Sequence, residues 1–139
     1  MHGLEMRIED APILIVDDEP VNVRLLEKVL ERGGYGRVTS TTEPREVLSL
    51  CRELQPAVLL LDLRMPHLDG FRVLEILDEG LGERQRPSVL FLTADVGEDV
   101  KRRALSLGAS EFLLKPFDLA QVLFSVGKLV ERYRDGAPT

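Results

Sequence analysis

At 139 residues, 44% apolar and 30% charged, the chain has the length and balance of one globular domain with its own core, which excludes a disordered polymer and a miniprotein stapled by metal or disulfides. A net charge of −6 argues against non-specific attraction of this domain to nucleic acid, and its single cysteine rules out an internal disulfide. No apolar run reaches the roughly 20 residues of a membrane-spanning helix, and the first ten residues lack the apolar block of a secretion signal, so the expected location is the cytoplasm.

Ile13 to Val16 is an unbroken apolar run, the pattern of a parallel strand covered on both faces. Asp17-Asp18-Glu19-Pro20 stops it. From Val21, Leu25, Leu26, Val29 and Leu30 recur at helical spacing until Gly33-Gly34. Arg37 to Thr41 is short and β-prone. Glu43-Pro44 opens a helix through Val47, Leu48, Leu50, Cys51 and Leu54, in which Cys51 reads as a small buried hydrophobe. Ala57 to Leu61 is a second apolar strand running directly into Asp62. A loop to Asp69 follows, and Gly70 leads into a helix carrying Phe71, Val73, Leu74 and Leu77. Gly80 to Pro87 is a polar connector. Val89 to Leu92 forms the fourth strand and ends at Thr93. Val100, Ala104 and Leu107 mark one face of a helix stopped at Gly108, where a left-handed cap needs no side chain. Phe112 to Leu114 is the last strand, closed by Lys115-Pro116, and the final helix carries Leu119, Val122, Val126, Val130 and Tyr133 on one stripe. Strand then helix, five times over, predicts a doubly wound α/β fold with a five-stranded parallel sheet flanked by five helices.

Open parallel sheets bind ligands beyond the carboxyl ends of their strands. The polar residues of this chain fall there: Asp17 and Asp18 after the first strand, Asp62 after the third, Thr93 after the fourth and Lys115 after the fifth. Three carboxylates brought together raise a pKa or hold a cation, and a hard, oxygen-ligated ion such as magnesium suits them. A lysine and a hydroxyl across the same pocket complete an arrangement fit for phosphoryl transfer. Singly, each residue has an ordinary reading: a solvated aspartate pair, a helix-capping Thr93, a surface Lys115, a core Phe112. Those readings do not explain why every such residue follows an apolar strand.

From about Pro12 to Arg134 the sequence resembles the receiver (CheY-like) domain of two-component response regulators. The resemblance is carried by Ile13-Leu14-Ile15-Val16-Asp17-Asp18-Glu19, Leu61-Asp62-Leu63-Arg64-Met65-Pro66, Asp69-Gly70, Leu92-Thr93-Ala94 and Phe112-Leu113-Leu114-Lys115-Pro116-Phe117. It implies a flavodoxin-like fold and a phosphorelay switch in which Asp62 takes a phosphoryl group from a sensor histidine kinase or a histidine phosphotransfer protein. Asp18 and Asp62 would ligate Mg2+ (with Mn2+ a substitute), Asp17 would act through bound water, and the main-chain carbonyl of Arg64 would add an oxygen. Thr93 and Lys115 would hold phosphoryl oxygens, and Lys115-Pro116 would be a cis peptide. Phe112 would be the aromatic switch that answers Thr93 and alters the face of the last two helices and last strand. It lacks the hydroxyl of the commoner tyrosine, so it must work by packing. Residues 1–11 are then an N-terminal extension, 12–134 the receiver domain, and 135–139 a tail that could begin a linker to an effector domain absent from this chain.

Arg64 and Asp95 each follow a site residue by two positions, and an ion pair between them would gate water and lengthen the phosphorylated state. His67 is a candidate metal ligand set against magnesium's preference for oxygen, and His2 carries no inference. Phe124 falls off the buried stripe of the last helix beside Ala120 and Gly127, a pattern for a homodimer or partner surface. Two other functions remain open: a docking module that is never phosphorylated, and a magnesium-dependent hydrolase. The hydrolase would want an acid–base carboxylate where Arg64 stands.

Overall fold

The computed structural model describes residues 7–66, 68–94 and 97–134. Five strands, β1 (Ile13–Val16), β2 (Val38–Thr41), β3 (Val58–Asp62), β4 (Ser88–Thr93) and β5 (Glu111–Leu114), lie parallel in the order β2-β1-β3-β4-β5. Five helices cover them: α1 (Pro20–Arg32), α2 (Val47–Leu54), α3 (Gly70–Gly80), α4 (Glu98–Ser106) and α5 (Leu119–Arg134). The chain moves outward from β1 to β2 and then crosses back to β3. Loops leaving β1 and β3 therefore diverge and open a crevice between them.

Strand side chains alternate between two cores. Ile13, Ile15, Val58, Leu60, Leu90 and Leu92 face α1 and α5, while Leu14, Val16, Leu59, Leu61, Val89 and Phe91 face α2, α3 and α4. Burial on both faces is what the unbroken apolar runs encode, because a period of two leaves no polar side to a covered parallel strand. Each fully buried leucine or isoleucine contributes about 1.5–3 kcal/mol of transfer free energy.

Element ends follow local chemistry. Pro20 opens α1, where its missing N–H is no loss. A short 3-10 turn, Pro44–Glu46, precedes α2 within what the sequence suggested was one helix. Gly108, at φ +100°, ends α4 as expected. A second 3-10 turn, Ile8–Asp10, lies ahead of β1 and packs on α5.

Four residues placed on helical apolar patterns are exposed, Val21, Leu25, Leu119 and Tyr133. Leu25 turns away from the sheet because Val23, Leu26, Val29 and Leu30 already fill the contact stripe of α1. Leu119 and Tyr133 stand at the two ends of α5, whose 16 residues run about 24 Å. The longest strand, of six residues, runs about 20 Å, shorter than the helix.

Cys51 is fully buried on α2, and burial pushes its thiol up to about 12 from an ordinary 9.0. Native protein is therefore expected to resist thiol reagents, with labelling only as fast as global unfolding. Rapid stoichiometric labelling of folded protein would contradict that burial.

Candidate functional site at the carboxyl edge of the sheet

Register assembles the site. Val16 pairs with Leu61, which sets Asp17 level with Asp62 across the β1–β3 boundary. Asp62 pairs with Leu92, so Thr93 follows one step later on β4. Thr93 in turn pairs with Leu114, and the Lys115 N–H donates to the Thr93 carbonyl at 2.7 Å. The Lys115-Pro116 peptide is cis.

Asp17, Asp62 and Thr93 are buried, whereas Asp18 is half-buried and Glu19 exposed. Ligand atoms of Asp17, Asp18 and Asp62 all lie within 4.8 Å of one another. Lys115 reaches in with its Nζ 3.4 Å from Asp62 Oδ1 and 3.8 Å from Asp17 Oδ2. Asp62 Oδ1 also accepts the Arg64 N–H at 3.3 Å, and Asp17 Oδ1 accepts the Glu19 N–H at 2.9 Å. Burial raises the Asp62 carboxyl from 3.8 to about 6, with the Asp17 charge adding to the rise and Lys115 and the Arg64 N–H opposing it.

The donor set fits a divalent cation. Asp17 Oδ2 is buried with no hydrogen-bond partner, an arrangement costly for a carboxylate oxygen unless a positive charge sits against it. One ammonium cannot neutralise three carboxylates, and every donor is a hard oxygen of the kind magnesium takes. The pocket opens to solvent between Glu19, Arg64, Pro66 and Ala94.

The floor depends on Gly70, which the sequence marked as a helix start and as part of the matching Asp69-Gly70 pair but not as a packing constraint. A Cβ there would lie 2.7 Å from the Phe91 ring, 3.0 Å from the Asp62 carbonyl and 3.0 Å from Leu63 Cα. The adjacent Asp69 caps α3, its Oδ1 accepting the Arg72 N–H at 2.9 Å. An Asp-Gly pair before an apolar periodic run was the available signal, but it does not say what presses on the glycine.

Phe112 is half-buried, pairs in register with Phe91 and packs against the core under α2, α3 and α4. Asp95, His67 and His2 lie outside the described residues, and with them the Arg64–Asp95 gate. Phe124 is 68% exposed, with Lys128 Nζ 4.9 Å from its ring centroid. Gly127 does not simply leave room for a partner: a Cβ there would meet Tyr35 Oη at 3.8 Å, so the chain itself occupies that side.

Residues 13–126 match the family model described as the response regulator receiver domain. The chain is 35% identical over 127 residues to the transcriptional regulatory protein PcoR of Escherichia coli, covering 91% of this chain and 54% of PcoR. It is also 35% identical over 127 residues to the alkaline phosphatase synthesis transcriptional regulatory protein PhoP of Bacillus subtilis, covering 91% and 51%. Against response regulator PleD of Caulobacter vibrioides identity is 41% over 108 residues, covering 78% and 23%. The chain thus spans about half the length, or less, of these curated relatives.

Among solved structures, the receiver domain of Francisella response regulator 1452 superposes with a TM-score of 0.80 at 26% identity, covering 89% of this chain and 99% of that one. The receiver domain of sensor histidine kinase PA1611 from Pseudomonas aeruginosa, with a magnesium ion in its active site cleft, gives 0.77 at 26% identity, covering 87% and 98%. Sequence match and fold match both span the strand ends where the acidic cluster, Thr93 and Lys115 converge, and the chain belongs to the response regulator receiver domain family of two-component signalling.

Proposed function

We propose that Asp62 is the phosphoacceptor of a phosphorelay and that the domain works as a switch. The observation that carries this is the Asp62 carboxylate itself: buried, flanked by Asp17 and Asp18, and touched by Lys115 at 3.4 Å. An Asp62 oxygen attacks the phosphorus of a phosphohistidine on a sensor kinase or phosphotransfer protein. The new P–O bond forms as the P–N bond breaks, and the electron pair leaves on the imidazole nitrogen, which takes a proton from solvent. Lys115 pairs with one phosphoryl oxygen, and the Thr93 hydroxyl donates to another.

Asp18, Asp62 and the Arg64 main-chain carbonyl, with Asp17 through water, would hold Mg2+ or Mn2+, which supplies charge neutralisation for the transferring group. That a receiver relative carries magnesium in its active site cleft supports this assignment. Arg64, two residues after Asp62, cannot serve as general acid and base for a separate substrate, which favours the switch over a hydrolase. Relay would run through Thr93 and Phe112 to the face of α4, β5 and α5, and on to an output partner or effector domain. No helix among the described residues is long and apolar enough to cross a membrane.

Intact mass after incubation with magnesium and acetyl phosphate tests the proposal. The parent should gain one phosphoryl group, lose that gain in EDTA, and show none in Asp62→Asn. Uptake that survives Asp62→Asn would move the acceptor elsewhere, and no uptake from acetyl phosphate or a kinase panel would leave a docking module.

A further inference from the structure

Of the nine residues of α4, only Ala104 is fully buried, with Val100 and the flanking Leu107 packed partly against the same core. A different contact supplements this anchorage. Exposed Arg103 lays its guanidinium over the Phe71 ring of α3, with Cζ 4.2 Å from the centroid. Among the described residues no carboxylate pairs with it. Phe71 meets Phe91 edge-on at 6.0 Å and 79°. Phe91 presses on Gly70, which also abuts the main chain of Asp62 and Leu63. A continuous path of contacts therefore runs from the Asp62 backbone to the outer surface of α4, and Phe112 sits beside it as the β5 neighbour of Phe91.

We infer that the Arg103–Phe71 contact is a latch that holds α4 down in the resting protein and opens when Asp62 is phosphorylated, so that it sets the balance of the switch. The inference rests on Asp62 being the phosphoacceptor. The core that Phe112 borders contains Phe71, Phe91, Ala104 and Ala109, all buried. A close-packed core has no room for a further phenyl ring without displacing a wall. Of the three helices over this core α4 has the fewest buried residues, Ala104 alone, and its movement lifts Arg103 from a ring position that is favourable only at close range. A ligand that favours the open state must work against the latch, so weakening the latch makes that ligand bind more tightly.

The experiment titrates beryllofluoride with magnesium, as a phosphoryl mimic, into parent, Arg103→Gln, Arg103→Lys, Phe71→Leu and the double variant Arg103→Gln/Phe71→Leu. Hydrogen exchange of the 98–107 amides is followed in parallel. Arg103→Gln should lower the half-saturating mimic concentration about two- to fivefold, the scale of an exposed cation–π contact, and should speed exchange in α4 without the mimic. Arg103→Lys should recover part of the parental behaviour, and the double variant should shift no further than one single variant. Equal midpoints in all variants with binding intact, or additive shifts in the double variant, would overturn the latch alone. Failure of the parent to bind the mimic would instead overturn the phosphoacceptor reading beneath it.

Discussion

Asp62→Asn is expected to raise the thermal midpoint of metal-free protein near neutral pH, even though it removes the proposed acceptor. Folding lifts the Asp62 carboxyl from 3.8 to about 6, because the charged form loses water and meets Asp17. A folded pKa above the unfolded one means that the protonated acid suits the fold better than the carboxylate does. Its contribution is fully present below pH 3.8 and is lost as pH rises through about 6, so at neutral pH Asp62 works against folding. Two units correspond to about 3 kcal/mol at most, and screening through the open pocket leaves about 1–2 kcal/mol for Asn to recover, or roughly 4–8 °C. Denaturation in EDTA should show the parent and variant converging below about pH 4 and separating as pH rises through 6. Magnesium should narrow the gap by favouring the carboxylate form. A variant less stable than the parent at neutral pH would mean that the cluster does not repel itself as its geometry requires.

Gly70→Ala should cost about 1–3 kcal/mol and impair phosphoryl uptake as well. Two of the three atoms in the path of the new methyl group are main chain, at Asp62 and Leu63, and cannot rotate aside. Either α3 shifts outward with its Asp69 cap, or the β3–α3 loop moves and carries Asp62 with it. A displacement of about 1 Å at a reacting group can lower a rate about a hundredfold, so labelling by acetyl phosphate should fall by roughly tenfold or more. Gly82→Ala is the control, since the nearest atom to its Cβ would be the flexible Gln85 side chain at 3.8 Å. If both variants melt together with parental labelling rates, Gly70 is not the floor of the site.

Much of this was legible in the sequence, for definite reasons. Ile13–Val16, Ala57–Leu61 and Val89–Leu92 announce themselves because the middle of a strand covered on both faces is apolar on both, and the acidic and basic residues stand out because each follows such a run. Helix orientation was less legible: the pattern around Leu25, Leu119 and Tyr133 gave periodicity but neither the width of the contact stripe nor where along α5 burial ends. The Gly70 contacts and the Arg103–Phe71 pair were invisible, since they join residues through tertiary distances that spacing along the chain does not encode.

The segment ahead of β1 has a bearing on where this unit can be cut. The family match begins at residue 13. Yet the Glu9 carbonyl accepts the Gly36 N–H at 3.0 Å, the Pro12 carbonyl accepts the Ala57 N–H at 2.7 Å, and Ala11 is fully buried in the core shared with α1 and α5. A fragment begun at Ile13 would leave two amides without acceptors and a hole beside α5. The stretch inherited as a family is therefore shorter than the stretch that folds, and a clone meant to behave as an autonomous body should start no later than Glu9.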